Sequence, residues 1–264
     1  MADARSVHAV FFDVGGTLAR PRLPIAEVLV RSARAAGVPI SPPAGAMVAS
    51  RLETLLAIRA QHGEAFTYPP ERSRRRWVGI YRASLEGVCS SDDADRIAED
   101  VFGQLSSPAG YELFSDALPT LRTLSDGGLA LGVVSNWEAW LPDLLRDLGI
   151  SDFFACALAS GEVQIEKPDP AIFAAALSRA GWEPDEALYV GDSVIEDMEG
   201  AAGAGMRGVL LDRSRVNIGF TAAPVINALT ELPPLMARLQ PVRRQLSGAA
   251  STSARLGAGG RSTR

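Results

Sequence analysis

Apolar and polar positions along this chain follow two rhythms. Short apolar runs at His8-Ala-Val-Phe-Phe12, Leu129–Val134, Phe153–Leu158, Ala187–Val190 and Gly208–Leu211 are bounded by polar residues, glycine or proline, and predict buried strands. From about residue 112 onward, helical patterns separate these runs. Trp137, Trp140, Leu141, Leu144, Leu145 and Leu148 recur at helical spacing. Asp169-Pro170 opens another helix with an N-cap residue and proline at its first position, and Ile172, Phe173, Ala176 and Leu177 form its apolar stripe. A helix of small residues separates the last two strands. Strands that alternate with helices require crossover connections, so the pattern predicts an α/β fold with a Rossmann-like, doubly wound parallel sheet.

The first strand breaks this alternation. Residues 20–110 read instead as helices at about 24–36, 43–61, 70–88 and 92–105. A helical block between the first and second strands of such a sheet predicts an inserted cap domain. The expected organisation is a core of residues 1–20 and 111–240, a helical cap of 21–110, and a tail of 241–264.

Composition changes this picture at a few points. With 264 residues, 47% of them hydrophobic, the chain can bury a sizeable core. Residues 242–264 hold five arginines and no acid, so of the net charge of −5 the rest of the chain carries −10. An acidic body argues against a nucleic-acid partner. The tail, made of Ser, Ala, Gly and Arg, is expected to be disordered. Two cysteines, Cys89 and Cys156, read as unpaired thiols suited to a reducing compartment. The first residues lack an apolar signal region, and no apolar run approaches the ~18 residues of a membrane span. A soluble, cytoplasmic protein without a membrane partner is expected; oligomeric state has no signal in the sequence.

Three strands end in polar segments: Phe12-Asp13-Val-Gly15-Gly-Thr17, Val134-Ser135-Asn136, and Gly191-Asp192-Ser193 with Glu196 and Asp197 following. Ligands of open parallel sheets bind outside the carboxyl ends of the strands, so these segments are expected to meet there. A fourth feature is Lys167, the single lysine among 26 basic residues, in Lys167-Pro168-Asp169-Pro170.

In this order the four segments resemble the motifs of the haloacid dehalogenase (HAD) superfamily: a strand with D-x-D-G-T, a strand ending in Ser or Thr, a lone Lys often followed by Pro, and G-D-x-x-x-D. The resemblance spans about residues 8–240 and leaves room for the family's first class of helical cap. It implies a phosphohydrolase acting on a small phosphorylated substrate through an aspartyl-phosphate on Asp13. It also implies Mg²⁺ held by Asp13, the main-chain carbonyl of Gly15 and Asp192, with Asp197 and Ser193 behind them. Thr17, Ser135, Asn136 and Lys167 would meet the phosphate, and the compact ammonium of Lys167 would also touch the nucleophile. Each motif has a plainer reading as well. Asp13 can cap the Gly15-Gly16 turn, and Ser193 with Glu196 can form a capping box.

One position departs from the family. Its phosphatases place a second Asp two residues after the nucleophile as general acid and base, and here that position is Gly15. General acid–base help is worth ~10²–10⁴ in rate. Three readings follow: a phosphatase with a borrowed acid (Glu64 or Glu71) or an easily departing leaving group, a weakly active or non-catalytic binding module, and a 2-haloacid dehalogenase, which needs no proton for its halide. Arg72, Arg74, Arg75 and Arg76 read as a solvated helical face.

Overall fold

The computed structural model describes residues 6–61 and 66–239. The expected tail and Glu64 lie outside these residues. The chain begins with β1 (Ala9–Phe12) and β2 (Ala19–Pro21), then runs through α1 (Ile25–Ala35), α2 (Pro42–Gln61), α3 (Pro70–Ser84) and α4 (Ser91–Leu105) to β3 (Tyr111–Leu113). There follow α5 (Ala117–Asp126), β4 (Ala130–Ser135), α6 (Leu141–Asp147), β5 (Phe154–Ala159), α7 (Ser160–Val163) and α8 (Pro170–Ala180). The last elements are β6 (Ala187–Gly191), α9 (Gly200–Gly203), β7 (Arg207–Leu211), β8 (Val225–Ile226) and α10 (Leu232–Leu239). No described helix is long and apolar enough to cross a membrane.

Six strands form one parallel sheet in the order β5-β4-β1-β6-β7-β8. This is the expected Rossmann-like α/β sheet. Its strands are largely apolar because both faces are covered, as in all-parallel sheets, with Ser135 and Arg207 at strand ends. Val10 and Phe12 point into the cluster beneath α5, α6 and α10, which includes Leu121, Leu144 and Leu232. Ala9 and Phe11 point the other way, among Phe173, Ala176 and Tyr189. Alternation along one strand thus serves two separate cores.

The expected helices appear close to their predicted bounds. α8 starts as its sequence indicates: the Asp169 carboxylate accepts from the Ala171 N–H at 2.9 Å, and Pro170 needs no partner for a missing N–H. Two elements differ from expectation: the helical run read from Trp137 starts only at Leu141, which leaves Trp137 and Trp140 in the loop before α6, and the segment after β6 is divided. The predicted small-residue helix after β6 is a π-helical turn, Val194–Glu199, followed by the short α9. The Ser193 carbonyl accepts from both Asp197 and Met198, and this widened turn folds Asp197 back against β6.

Helices α1–α4 have their own core around Leu29, Leu85, Ile97 and Val101. They leave and rejoin the sheet through the antiparallel pair β2–β3, with Arg20 opposite Glu112. Arg213, just beyond β7, ties this junction down. Its guanidinium donates to both carboxylate oxygens of Asp116 at 2.9 Å and to the carbonyls of Thr17 at 2.9 Å and Gly16 at 3.2 Å. It also lies 3.9 Å from the Phe114 ring centroid. Burial alone would raise the Asp116 pKa, but Arg213 and the Leu229 N–H outweigh it and hold the carboxyl below its ordinary value.

A lowered folded-state pKa means that the pair stabilises the fold above the unfolded carboxylate pKa and loses that contribution as pH falls. Arg213→Ala should therefore cost about 2 kcal/mol in urea denaturation near neutral pH, as expected for charge-assisted hydrogen bonds. The gap between variant and wild type should narrow below about pH 4. A gap that does not change with pH would show that Arg213 acts only by packing on Phe114.

Candidate active site

β1 lies between β4 and β6, with Phe12 opposite Val133 on one side and Val190 on the other. The three strands end together, so the next residues converge. Asp13 follows β1, its N–H bonded to the Val190 carbonyl at 2.9 Å. Ser135 closes β4, and Asp192 follows β6. One oxygen atom each from Asp13, Asp192 and Asp197 fall within 4.8 Å of one another.

Lys167 reaches this cluster from the loop before α8. Its side chain is buried, and its ammonium sits 2.7 Å from Asp13 Oδ1, 2.6 Å from Asp197 Oδ1 and 3.1 Å from the Tyr189 hydroxyl. These contacts account for all three of its N–H donors. Tyr189 in turn donates to the Val134 carbonyl at 2.7 Å, and the Ser193 N–H donates to Asp197 Oδ2 at 2.9 Å. Ser135 Oγ donates to Asp13 Oδ1 at 2.9 Å. Both side-chain hydrogen bonds of Asp13 fall on Oδ1, so Oδ2 is the oxygen not committed to Lys167 or Ser135.

Burial opposes the charge on every group here. It raises Asp13 to about 6; Lys167 pulls that value down and the charge of Asp197 pushes it up. Asp192 keeps contact with solvent through the cleft, yet the atoms packed around it and the charges of Asp13 and Asp197 raise it to about 8. Burial would lower the Lys167 pKa, but Asp13 and Asp197 reverse this and hold it well above its ordinary value, so it stays cationic. Ionised together, the three carboxylates would exceed the one ammonium by two negative charges, and burial and that crowding together raise Asp13 and Asp192.

Other expected site residues take distinct places. Asn136 was expected to face a phosphate, but its amide is turned to the backbone of Lys167: Nδ2 donates to the carbonyl at 3.0 Å, and Oδ1 accepts from the N–H at 2.8 Å. It positions the lysine. Ser193 caps the following turn by accepting from the Glu196 N–H at 3.1 Å. Thr17 is fully buried, and its Oγ1 has no hydrogen-bond partner among the described residues. Glu71 is exposed on α3 and does not line the cleft. Gly15 does line it, without a positive φ, and a Cβ there would meet only the Trp137 ring at 3.4 Å. Gly16 has φ +75°, and a Cβ there would lie 2.1 Å from Asp192 Oδ2.

Sequence reasoning missed Tyr189, Glu138 and Trp137 as site residues. A lone Tyr in an aliphatic strand was the available signal for the first. The cleft above the carboxylates, of about 250 Å³, is walled by Trp137, Glu138 and Tyr111 from the sheet side and by Thr67, Trp77, Tyr81 and Phe102 from the helical block. Glu138 Oε1 accepts from Ser73 Oγ at 2.7 Å and Trp77 Nε1 at 3.2 Å, which joins the two sides.

A family model described as haloacid dehalogenase-like hydrolase matches residues 7–205. The chain belongs to that family. Similar relatives include the zebrafish (Danio rerio) haloacid dehalogenase-like hydrolase domain-containing protein 3, 31% identical over 89% of this chain and 97% of the relative. A phosphoserine phosphatase from Thermus thermophilus is 34% identical over 71% and 72%. Among solved structures, a 2-haloacid dehalogenase from Pseudomonas syringae is 28% identical with a TM-score of 0.58, covering 88% of this chain and 99% of that one. For this family member the two adjacent glycines make a sharp contrast. Gly16→Ala should cost more than about 1 kcal/mol in thermal or urea unfolding, because Ala at positive φ is strained and Asp192 must move. Gly15→Ala should stay near wild type in the same assay. Equal losses would mean that the approach of Gly16 to Asp192 is not constraining.

Proposed function

We propose that this chain is a Mg²⁺-dependent phosphomonoesterase that acts on a small phosphorylated substrate through an aspartyl-phosphate on Asp13, with α1–α4 as its cap. The observation that carries the reading is the approach of Asp13, Asp192 and Asp197 to within 4.8 Å of one another, with only Asp13 and Asp197 paired to the buried ammonium, so that full ionisation leaves two negative charges unbalanced. That excess suits one divalent cation, and the donor set of carboxylates suits Mg²⁺. Asp13, Asp192 and the Gly15 carbonyl would hold the ion, which when bound neutralises charge and polarises a phosphoryl oxygen. Asp197, turned to Lys167, supports the set from behind.

The protein's own groups divide the remaining work. Lys167 and Ser135 fix one oxygen of Asp13, so the carboxylate cannot rotate and Oδ2 is left for attack on phosphorus. The cation of Lys167 favours the ionised nucleophile and offsets charge on the phosphoryl group. Asn136 holds the lysine backbone, and Tyr189 holds its ammonium from the side away from the cleft mouth. Residue 15 supplies no proton, so the departing oxygen must leave without one or draw it from elsewhere.

The 2-haloacid dehalogenase reading draws on the similar solved dehalogenase and on the absence of an acid at position 15. Asp192 weighs against it, because halide displacement gives that carboxylate no task. The non-catalytic reading requires cation and phosphate binding without turnover.

Phosphate release from a panel of phosphomonoesters, with and without Mg²⁺, tests the proposal. Wild type should require the metal, and Asp13→Asn should lose turnover while its melting profile shows a folded protein. Halide release from 2-haloacids, or an active Asp13→Asn, would sink it. A second outcome concerns leaving groups. Aryl and acyl phosphates should turn over far faster than alkyl phosphates. Gly15→Asp, compatible with the local backbone and with a Cβ that would meet only Trp137, should raise alkyl-ester hydrolysis selectively, by up to the ~10²–10⁴ of general acid catalysis. Equal wild-type rates on alkyl and aryl esters would show that another residue delivers the proton.

A further inference from the structure

We infer that the group esterified to the phosphate is an uncharged aromatic alcohol, and that the bare backbone at Gly15 is part of its seat. The inference rests on the phosphomonoesterase reading above and specifies its substrate class. Above the carboxylates, Trp77, Tyr81 and Phe102 from the helical block face Tyr111 and Trp137 from the sheet side. Trp77 stacks on Tyr81 with centroids 6.0 Å apart, and Trp137 meets Tyr111 edge-on at 5.0 Å. Two walls of aromatic faces and edges suit a planar ring between them.

Charge in the cleft excludes an anionic arm. Among the described residues no arginine lines it, and the donors of Lys167 are already engaged below. The side walls instead carry Glu138 and Glu196. A substrate carboxylate would meet like charge with no arginine to pair with, as a carboxylate-bearing ester such as phosphoserine would. Trp137, 8% exposed, adds a further ring to the sheet-side wall.

Gly15 links the pocket to the reaction. A Cβ there would already touch Trp137 at 3.4 Å, so a side chain would begin in contact with that ring. Glycine leaves the space open and gives up the acid. An aromatic alcohol does not need that acid. As Asp13 Oδ2 forms its bond to phosphorus, the ester P–O bond breaks and its electron pair leaves on the aryl oxide. The conjugate acid of an aryl oxide has a pKa near 10, as for the tyrosine phenol, so this oxygen departs as an anion and takes a proton from water. A water molecule then attacks phosphorus, releases phosphate and restores the Asp13 carboxylate.

Binding is separated from leaving-group chemistry by using phosphonates, which are not hydrolysed. Inhibition of acetyl phosphate hydrolysis by benzylphosphonate, methylphosphonate and phosphonoacetate should be measured with the full chain and Mg²⁺. Benzylphosphonate should bind at least about tenfold tighter than methylphosphonate, the scale of a buried aromatic contact. Phosphonoacetate should be the weakest. Trp77→Ala, Phe102→Ala and Gly15→Leu should each shrink the benzyl-to-methyl ratio towards one. Equal binding of benzyl- and methylphosphonate by an enzyme that hydrolyses acetyl phosphate would overturn the aromatic seat and leave the phosphatase reading standing. Tighter binding of phosphonoacetate would overturn the uncharged class. If neither acetyl phosphate nor any ester of the phosphomonoester panel is hydrolysed, the phosphatase reading fails; calorimetry with the same phosphonates then decides whether the seat survives or falls with it.

Discussion

A lysine ammonium buried between two carboxylates is costly to make, since removing each charge from water costs several kcal/mol after relaxation. Lys167 repays this only because Asp13, Asp197 and Tyr189 take its three protons at 2.6–3.1 Å. The remaining bonds of those partners are also made: Tyr189 to the Val134 carbonyl, Asp197 to the Ser193 N–H, Asp13 to Ser135. Loss of any member would leave a buried charge or dipole exposed to nothing. The network joins the ends of β1, β4 and β6 to the loop before α8, so it fixes the relative placement of four chain segments at once.

The sheet order makes that network possible. A residue after β1 can meet residues after both β4 and β6 only because β1 lies between them. Strand registers do the fine positioning, with Phe12 level with Val133 and Val190. The π-helical turn after β6 then returns Asp197 to the ammonium, where an ordinary helix would have carried it onward. Arg213 completes the arrangement from the far side by binding the carbonyls of Gly16 and Thr17, which hold the loop that bears the metal-binding carbonyl of the proposed site.

Much of this was legible in the residues. Strand periodicity and the Asp169-Pro170 start marked the α/β core, and the order of Asp13, Ser135, Lys167 and Asp192 marked the site. Of the four helices of the inserted block, α1, α3 and α4 were visible by their amphipathic stripes, whereas α2 carries almost none and was marked by its length and helix-forming residues. What stayed hidden depends on distance across the chain. Asn136 read as a phosphate ligand because its polar amide ends a strand, yet its partner is the backbone of a residue 31 positions away. Tyr189 read as a core aromatic, since nothing local announces that its hydroxyl meets Lys167. Glu138 and Trp137 lie in a segment whose periodicity correctly predicts burial and says nothing about what lies across the cleft. The π-helical turn was unreadable for a related reason: the sharing of the Ser193 carbonyl by the Asp197 and Met198 N–H groups accompanies the contacts of Asp197 with Lys167 and Tyr189, which are distant or unmarked in the sequence.

Gly15 changes meaning once the cleft is known. In the sequence it is a missing carboxylate, a defect in a catalytic set. In the fold it stands beside Trp137 with ordinary backbone angles, so no conformational demand requires glycine there. That contrasts with Gly16, where positive φ and the approach of Asp192 leave no alternative. A residue that is small without backbone necessity is small because of what must fit beside it. In the proposed reading the aromatic walls supply the shape and a leaving group that needs no proton supplies the chemistry, so the absent acid and the open space beside Trp137 favour the same class of ester.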